Sequence, residues 1–219
     1  MNIYIVCEGD IGERHVYESW VPMVNPALTF VDNLFSITAN NFSIIVGGGF
    51  PNYFEVIEHA IDDVNNYGNI DRVVIAVDSE NQSFQEKHDE IAAFLQQKHC
   101  NCDTKIVIQH FCLEAWALGN KRVGPRNPKL AKLIDYKKCF NVLDRDPELL
   151  PPYPPEFLNR AQFAEKYLRA MLLDKHRNLT YSKRNPKALL HKSYFAELNL
   201  RLNTTGHIAS FAAFLSAFK

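Results

Sequence analysis

The chain has 219 residues, 47% of them apolar and 22% charged, with a formal net charge of −1. This is the balance of a globular protein long enough for one large domain or one and a half small ones, and it excludes a global basic field, though not a local basic patch. No apolar run approaches the roughly 20 residues needed to cross a bilayer, and Met-Asn-Ile-Tyr-Ile-Val at the N-terminus lacks the pattern of a signal peptide, so no membrane role and a cytoplasmic location are expected. Five cysteines, Cys7, Cys100, Cys102, Cys112 and Cys139, argue by their odd number against a disulfide framework. Cys100, Cys102 and Cys112 lie near His99 and His110, but without a CxxC pair a zinc site is less favoured than apolar fillers and a loop thiol.

In chain order, Ile3 to Cys7 reads as a first strand, ending in Glu8-Gly9-Asp10. Asp10 and Glu13 have capping-box spacing, and a helix is expected to about Met23, with Pro22 and Pro26 helping to end it. Phe42 to Val46 is a second strand, closed by Gly47-Gly48-Gly49. That triplet could cradle phosphate, but it lacks the Lys-Ser/Thr of a P-loop, and a tight turn explains it better. A helix follows from about Pro51, with Pro51 in its first turn and Phe54, Ile57, Ile61 and Val64 on one face.

Asp71 to Glu80 is the most informative stretch. The unbroken apolar run Val73–Val77 reads as a strand buried on both faces, as in a parallel sheet. Ligands of such sheets bind beyond the carboxyl ends of the strands, which is where Asp78 and Glu80 stand. If extended geometry persists to Glu80, the two carboxylates face one spot, and a divalent cation would relieve their repulsion. A helix is expected over Ser83–Lys98, with His88 a core-edge histidine, and a fourth strand over Thr104–Ile108. The order β-α-β-α-β-α-β argues a mostly parallel sheet.

A short helix is expected within Gln109–Leu118. Glu114 there either lies on an outer face or turns toward the same place as Glu8 and Asp78, since a buried unpaired carboxylate is costly. From Asn120 to about Glu156 the chain reads as an irregular insertion with a short helix near Leu130–Asp135 and a Pro-rich end. Its cations Lys121, Arg122, Arg126, Lys129, Lys132, Lys137 and Lys138 suit either a polyanion or a solvated face. Helices are expected over Arg160–Lys175, about Lys187–Leu202 and Ile208–Phe218, with a basic loop at Tyr181–Lys187. The last helix carries Phe211, Phe214, Leu215 and Phe218, an apolar face needing a partner.

The acids that follow the strands resemble those of the Toprim fold, found in topoisomerases, DnaG-type primases, RecR-type recombination proteins and OLD-family nucleases. The Toprim pattern is Glu-Gly after the first strand and Asp-x-Asp after a later one. Ile-Val-Cys-Glu8-Gly9 is similar to the first part, and Val-Asp78-Ser-Glu80 to the second, with Glu in place of the second Asp. Phe111-Cys-Leu113-Glu114-Ala-Trp116-Ala-Leu118 resembles a phrase of the small RloB-like Toprim-related proteins of bacterial phage defence. Lys183 looks like the late lysine of OLD-like nucleases, with Lys187 and Lys192 as alternatives.

The resemblance implies an α/β, three-layer α/β/α Toprim-like core over residues 1–120, and a basic, Pro-rich and helical part over 121–219. It implies a nuclease in which Glu8, Asp78 and Glu80 bind magnesium or manganese, Glu114 is a fourth candidate and Lys183 steadies developing charge. Lys121, Arg122, Arg126, Lys129, Arg184 and Lys187 would contact DNA or RNA. A role in anti-phage defence, an ATPase partner and a homo-oligomer are further implications. A binding subunit that has lost catalysis, or a hydrolase of small phosphorylated molecules, are the alternatives.

Overall fold

In a computed structural model of the chain, residues 1–9, 11–49 and 52–219 are described. The expected Asp10 half of a capping box and the placement of Pro51 in a helix lie outside them. Glu13 Oε2 accepts from the Gly9 N–H at 2.8 Å, one residue before the position that the expected box would cap.

Long Val/Ile runs and amphipathic helices alternate along the first half of the chain and give β1 (Ile3–Cys7), α1 (Ile11–Val24), β2 (Thr29–Phe30), β3 (Asn41–Val46), α2 (Tyr53–Tyr67), β4 (Arg72–Asp78), α3 (Phe84–Gln96) and β5 (Asp103–Gln109). The strands form one all-parallel sheet with helices flanking it, in the order β2-β3-β1-β4-β5. Register pairs Cys7 with Val46 on one side and with Ala76 on the other. The chain therefore winds one way from β1 to β3 and the other way from β4 to β5. The switch falls between the carboxyl ends of β1 and β4, the crevice that open α/β sheets use for ligands.

The chain divides into two compact units, Met1–Val77 with Phe84–Ile108 and Ala213–Lys219, and Asp78–Ser83 with Gln109–Ala212. In the first, Val6, Val73, Ile75 and Val77 meet Ile57, Ile61 and Val64 of α2 and Ile91 of α3 in one apolar cluster. The alternate residues Ile3, Ile5, Val74 and Ala76 are fully buried too, so the sheet is covered on both faces, as its apolar runs require. The second unit holds α4 (Leu113–Ala117), α5 (Ala131–Cys139), α6 (Arg160–Lys175), α7 (Lys192–Thr205) and the start of α8 (Phe211–Ala217).

α1 ends at Val24, close to the expected Met23, with Pro22 inside its last turn. Several expectations are corrected. β2 was not foreseen, because two residues carry no periodicity. α7 begins at Lys192, since residues 187–191 make turns and the His191 ring caps the helix by accepting from the Ser193 N–H. The C-terminal aromatic face needs no outside partner, for Phe211, Phe214 and Phe218 are fully buried. Phe214 stands edge-on to Tyr17 at 5.2 Å and to Trp20 at 6.0 Å within the first unit. Phe211 packs on Trp116 at 5.2 Å and Phe195 at 5.8 Å within the second. Among the described residues, no helix is long and apolar enough to cross a membrane.

Burial in the second unit titrates one acid into the working pH range. Glu148 is 7% exposed and accepts from the Ser210 hydroxyl at 2.5 Å and the Ser210 N–H at 3.0 Å. Burial, opposed by those bonds and aided by the Asp146 charge, pushes its pKa up to about 7 from 4.5. The folded state thus holds a proton that the unfolded state releases, so this contribution is whole below pH 4.5 and is lost as pH rises through about 7. Urea unfolding should show wild type losing about 3 kcal/mol across that window relative to Glu148→Gln. Parallel pH profiles of the two proteins would refute the assignment.

Candidate active site

In the first unit, Glu8 follows β1 and is 9% exposed. Its N–H donates to the Ala76 carbonyl at 2.9 Å, extending the register one residue beyond Cys7, and its own carbonyl accepts from the Gly49 N–H at 3.0 Å. Gly48 and Gly49 have φ of +69° and +86°, a region closed to most side chains. A Cβ on Gly47 would lie 2.8 Å from the Tyr53 Cβ. The three glycines therefore serve a turn that lays the start of α2 against the end of β1. Near Glu8, the Tyr53 hydroxyl accepts from the buried Lys87 ammonium at 3.1 Å, which also pairs with Glu90 at 3.0 Å. Burial, chiefly, with smaller contributions from Glu90 and Glu8, raises the Tyr53 pKa against the pull of Lys87. Lys87 escaped the sequence reading because its neighbour His88 held the apparent face.

In the second unit, Asp78, the last residue of β4, opens a tight segment. Ser79 N–H donates to Gln109 O at 3.2 Å and Glu80 N–H to Phe111 O at 2.9 Å. Glu80 has a φ of +48° and is exposed. Strand alternation stops at Asp78, so the inference that extended geometry aims Asp78 and Glu80 at one spot does not hold. The Glu80 backbone is fastened instead by Arg160, whose Nε donates to Glu80 O at 2.9 Å and whose Nη2 donates to Gln82 O at 3.2 Å. The Arg160 guanidinium also lies 4.3 Å over the Phe111 ring. Beside it, Ser79 Oγ and His110 Nδ1 are 2.7 Å apart. Burial first, then the Arg160 charge, holds the His110 pKa below its ordinary value.

Glu114 does not lie on an outer face. It is 3% exposed within α4, whose five residues are all buried. The Tyr181 hydroxyl donates to Glu114 Oε1 at 2.8 Å. Two residues on, Lys183 sits at the tip of a turn closed by Asn185 N–H to Ser182 O at 2.9 Å. Lys183 is exposed, yet Glu114 first, and Asp78 after an opposing effect of burial, raises its pKa well above the ordinary lysine range. Burial, then Glu114 and Asp78, likewise pushes up the Cys112 thiol. Asp78, Cys112, Glu114, Tyr181 and Lys183 thus share one electrostatic neighbourhood. Tyr181 and Arg160 were missed by sequence reading: one looked like a loop residue, the other like the start of a helix.

The cations Lys121, Arg122, Arg126, Lys129, Arg184 and Lys187 are all exposed. Arg184 shares the turn with Lys183, and Arg122 pairs with Glu197 at 3.4 Å. Other members of the basic run are engaged locally. Lys137 donates to the carbonyls of Pro125 and Arg126 at 3.2 and 2.6 Å, and Lys132 pairs with Glu156 at 3.1 Å. The five cysteines are free thiols, with Cys100 Sγ and Cys102 Sγ 3.5 Å apart. Among the described residues, no three His, Cys, Asp or Glu side chains gather as metal ligands. Comparison with protein-family models, curated proteins and solved structures gives no match.

Removing the Tyr181 hydroxyl leaves a buried carboxylate short of a donor. Tyr181→Phe should therefore lower stability by roughly 1–3 kcal/mol in urea unfolding. A change below experimental error would show that the bond to Glu114 carries no weight.

Proposed function

We propose that this chain is a Toprim-like, metal-dependent nuclease that hydrolyses phosphodiesters of DNA or RNA. The observation that carries the reading is the joint placement of Asp78, Glu114 and Lys183. Three positions far apart in sequence, each picked out by the resemblance, lie near enough to one another, at and beyond the end of β4, for the two acids to act on the lysine's charge. The donor chemistry suits magnesium or manganese, because magnesium is commonly held by one or two carboxylates, with water and substrate phosphate completing its shell. Asp78 and Glu114 would be those carboxylates. The resemblance adds Glu8 and Glu80. A bound ion would supply Lewis-acid stabilisation of the phosphoryl oxygens.

The chain's own groups have definable roles. Lys183, fixed as a cation by two acids, is suited to steady negative charge that develops on a transferring phosphoryl group. Tyr181 holds Glu114 in one orientation. Arg184, beside Lys183 on the turn, and the exposed cations at 121–129 would take up backbone phosphates, which makes binding salt-dependent. A place among bacterial anti-phage effectors and an ATPase partner follow from the resemblance alone, and a cytoplasmic site of action from the sequence pattern.

A second reading is a binding subunit without catalysis. It draws on the lack of a three-ligand cluster among the described residues. Calorimetry with magnesium and a catalytically blocked strand separates the two, since the subunit would bind the strand without any metal requirement.

Purified wild type should cut single- or double-stranded DNA or RNA in magnesium or manganese and not in chelator. Asp78→Asn, Glu114→Gln and Lys183→Ala, each shown folded by its melting curve, should cut slower by about a hundredfold or more. Glu8→Ala tests the carried-over ligand in the same assay. Wild-type rates in both Asp78→Asn and Glu114→Gln would end the nuclease proposal.

A further inference from the structure

An open groove of about 530 Å³ lies in the second unit, between the end of α6, the turns before α7 and the segment after α4. That volume lies in the range of about 300–1,000 Å³ typical of small-molecule sites. Its lining includes the apolar side chains of Val123, Leu172 and Leu179 and the polar ones of Lys175, Lys187 and His191, together with Arg122 and Glu197. Arg122 has Glu197 as its counter-ion. Lys175 and Lys187 have no ion pair among the described residues, so the groove keeps two uncompensated positive charges.

His191 is engaged on one side only. Its Nδ1 accepts from the Ser193 N–H at 3.3 Å and lies 2.8 Å from the Ser193 hydroxyl, which leaves Nε2 for another partner. Ser193 also lines the groove and belongs to the first turn of the 14-residue α7. The partial positive charge of that helix end reinforces the lysines. Compact ammonium groups and an imidazole N–H suit a phosphate, and aliphatic side chains in the same groove suit a flat base or a sugar.

We infer that this groove binds a nucleoside phosphate, with its phosphate on Lys175, Lys187 and His191 and its nucleoside against the apolar side chains of Val123, Leu172 and Leu179. The ligand is a free nucleotide or one unit of a strand; in the latter case the inference rests on the nucleic-acid reading above. None of these contacts uses Asp78, Glu114 or a metal ion.

Calorimetry of the full chain in chelator, with adenosine monophosphate as the probe, tests it. Because divalent metal is absent, failure here leaves the hydrolysis reading untouched, and failure of hydrolysis leaves this one untouched. Adenosine monophosphate should bind at least about tenfold more tightly than adenosine or inorganic phosphate. The exposed double substitution Lys175→Glu with Lys187→Glu should remove that preference while the melting temperature stays the same. Equal binding of all three probes, no binding, or wild-type affinity in the double variant would overturn the inference. Given binding, displacement of the nucleotide by a short single strand assigns the groove to a passing strand. Retention of the nucleotide assigns it to a free one.

Discussion

A carboxylate buried in a five-residue helix needs partners, and Glu114 finds them far along the chain. Burying an isolated charge is prohibitive unless it is bonded and paired. Here the bond comes from the Tyr181 hydroxyl and the nearby positive charge from Lys183. Tyr181 leads into the 182–185 turn and Lys183 sits within it, so satisfying Glu114 also positions that turn. α4 is too short to be stable by its own hydrogen bonds. Its buried neighbours Leu113, Trp116 and Ala117 hold it in place, and the Trp116 indole N–H donates to Ser210 Oγ at 2.6 Å. The chemistry of the candidate site and the packing of the second unit therefore share one small helix.

The same economy of partners keeps the irregular stretch after α4 ordered. Arg201 of α7 is 2% exposed, and its guanidinium donates to the carbonyls of Leu143, Val142 and Arg145 at 3.0, 2.9 and 2.9 Å. Burial draws its pKa down to about 10. Backbone carbonyls with no helix or strand to join must find donors elsewhere, and one arginine supplies three. Farther along, Tyr136, Tyr153, Phe157 and Phe163 form an aromatic cluster, with Tyr153 stacked on Phe163 at 5.0 Å. The Pro-rich segment is thus pinned by its aromatic residues rather than standing as a free stiff spacer.

How much of this was legible follows from how local each cause is. β1, β3, β4 and β5 announce themselves as apolar runs, and the helical period gives α6 its full span, Arg160–Lys175. Glu114 stood out as an acid in an apolar stretch, but its partners 67 and 69 residues on did not, because Tyr181 and Lys183 look like ordinary loop residues. Glu80 misled because alternation assumes an extended chain, whereas hydrogen bonds to the Phe111 carbonyl and from Arg160 bend it into a left-handed turn. The C-terminal phenylalanines misled in the opposite way. Their pattern declared a buried face, but the aromatic residues that meet Phe214 and Phe218 come from α1, almost the whole chain away.

Two buried acids in the same unit show why burial by itself does not mark a site. Glu148 has Ser210 as its donor and the Asp146 carboxylate as its charged neighbour. With no cation among these, it meets the cost of burial by keeping its proton, as an acid in an apolar setting does. Glu114 stands with Lys183, whose charge it helps to hold, and with the carboxylate of Asp78 in the same field. Two acids and a lysine thus act on one another's charge at the end of a strand and beside a basic turn. It is the pattern of opposed charges, not the depth of any one residue, that makes Asp78, Glu114 and Lys183 the candidate site of the nuclease proposal.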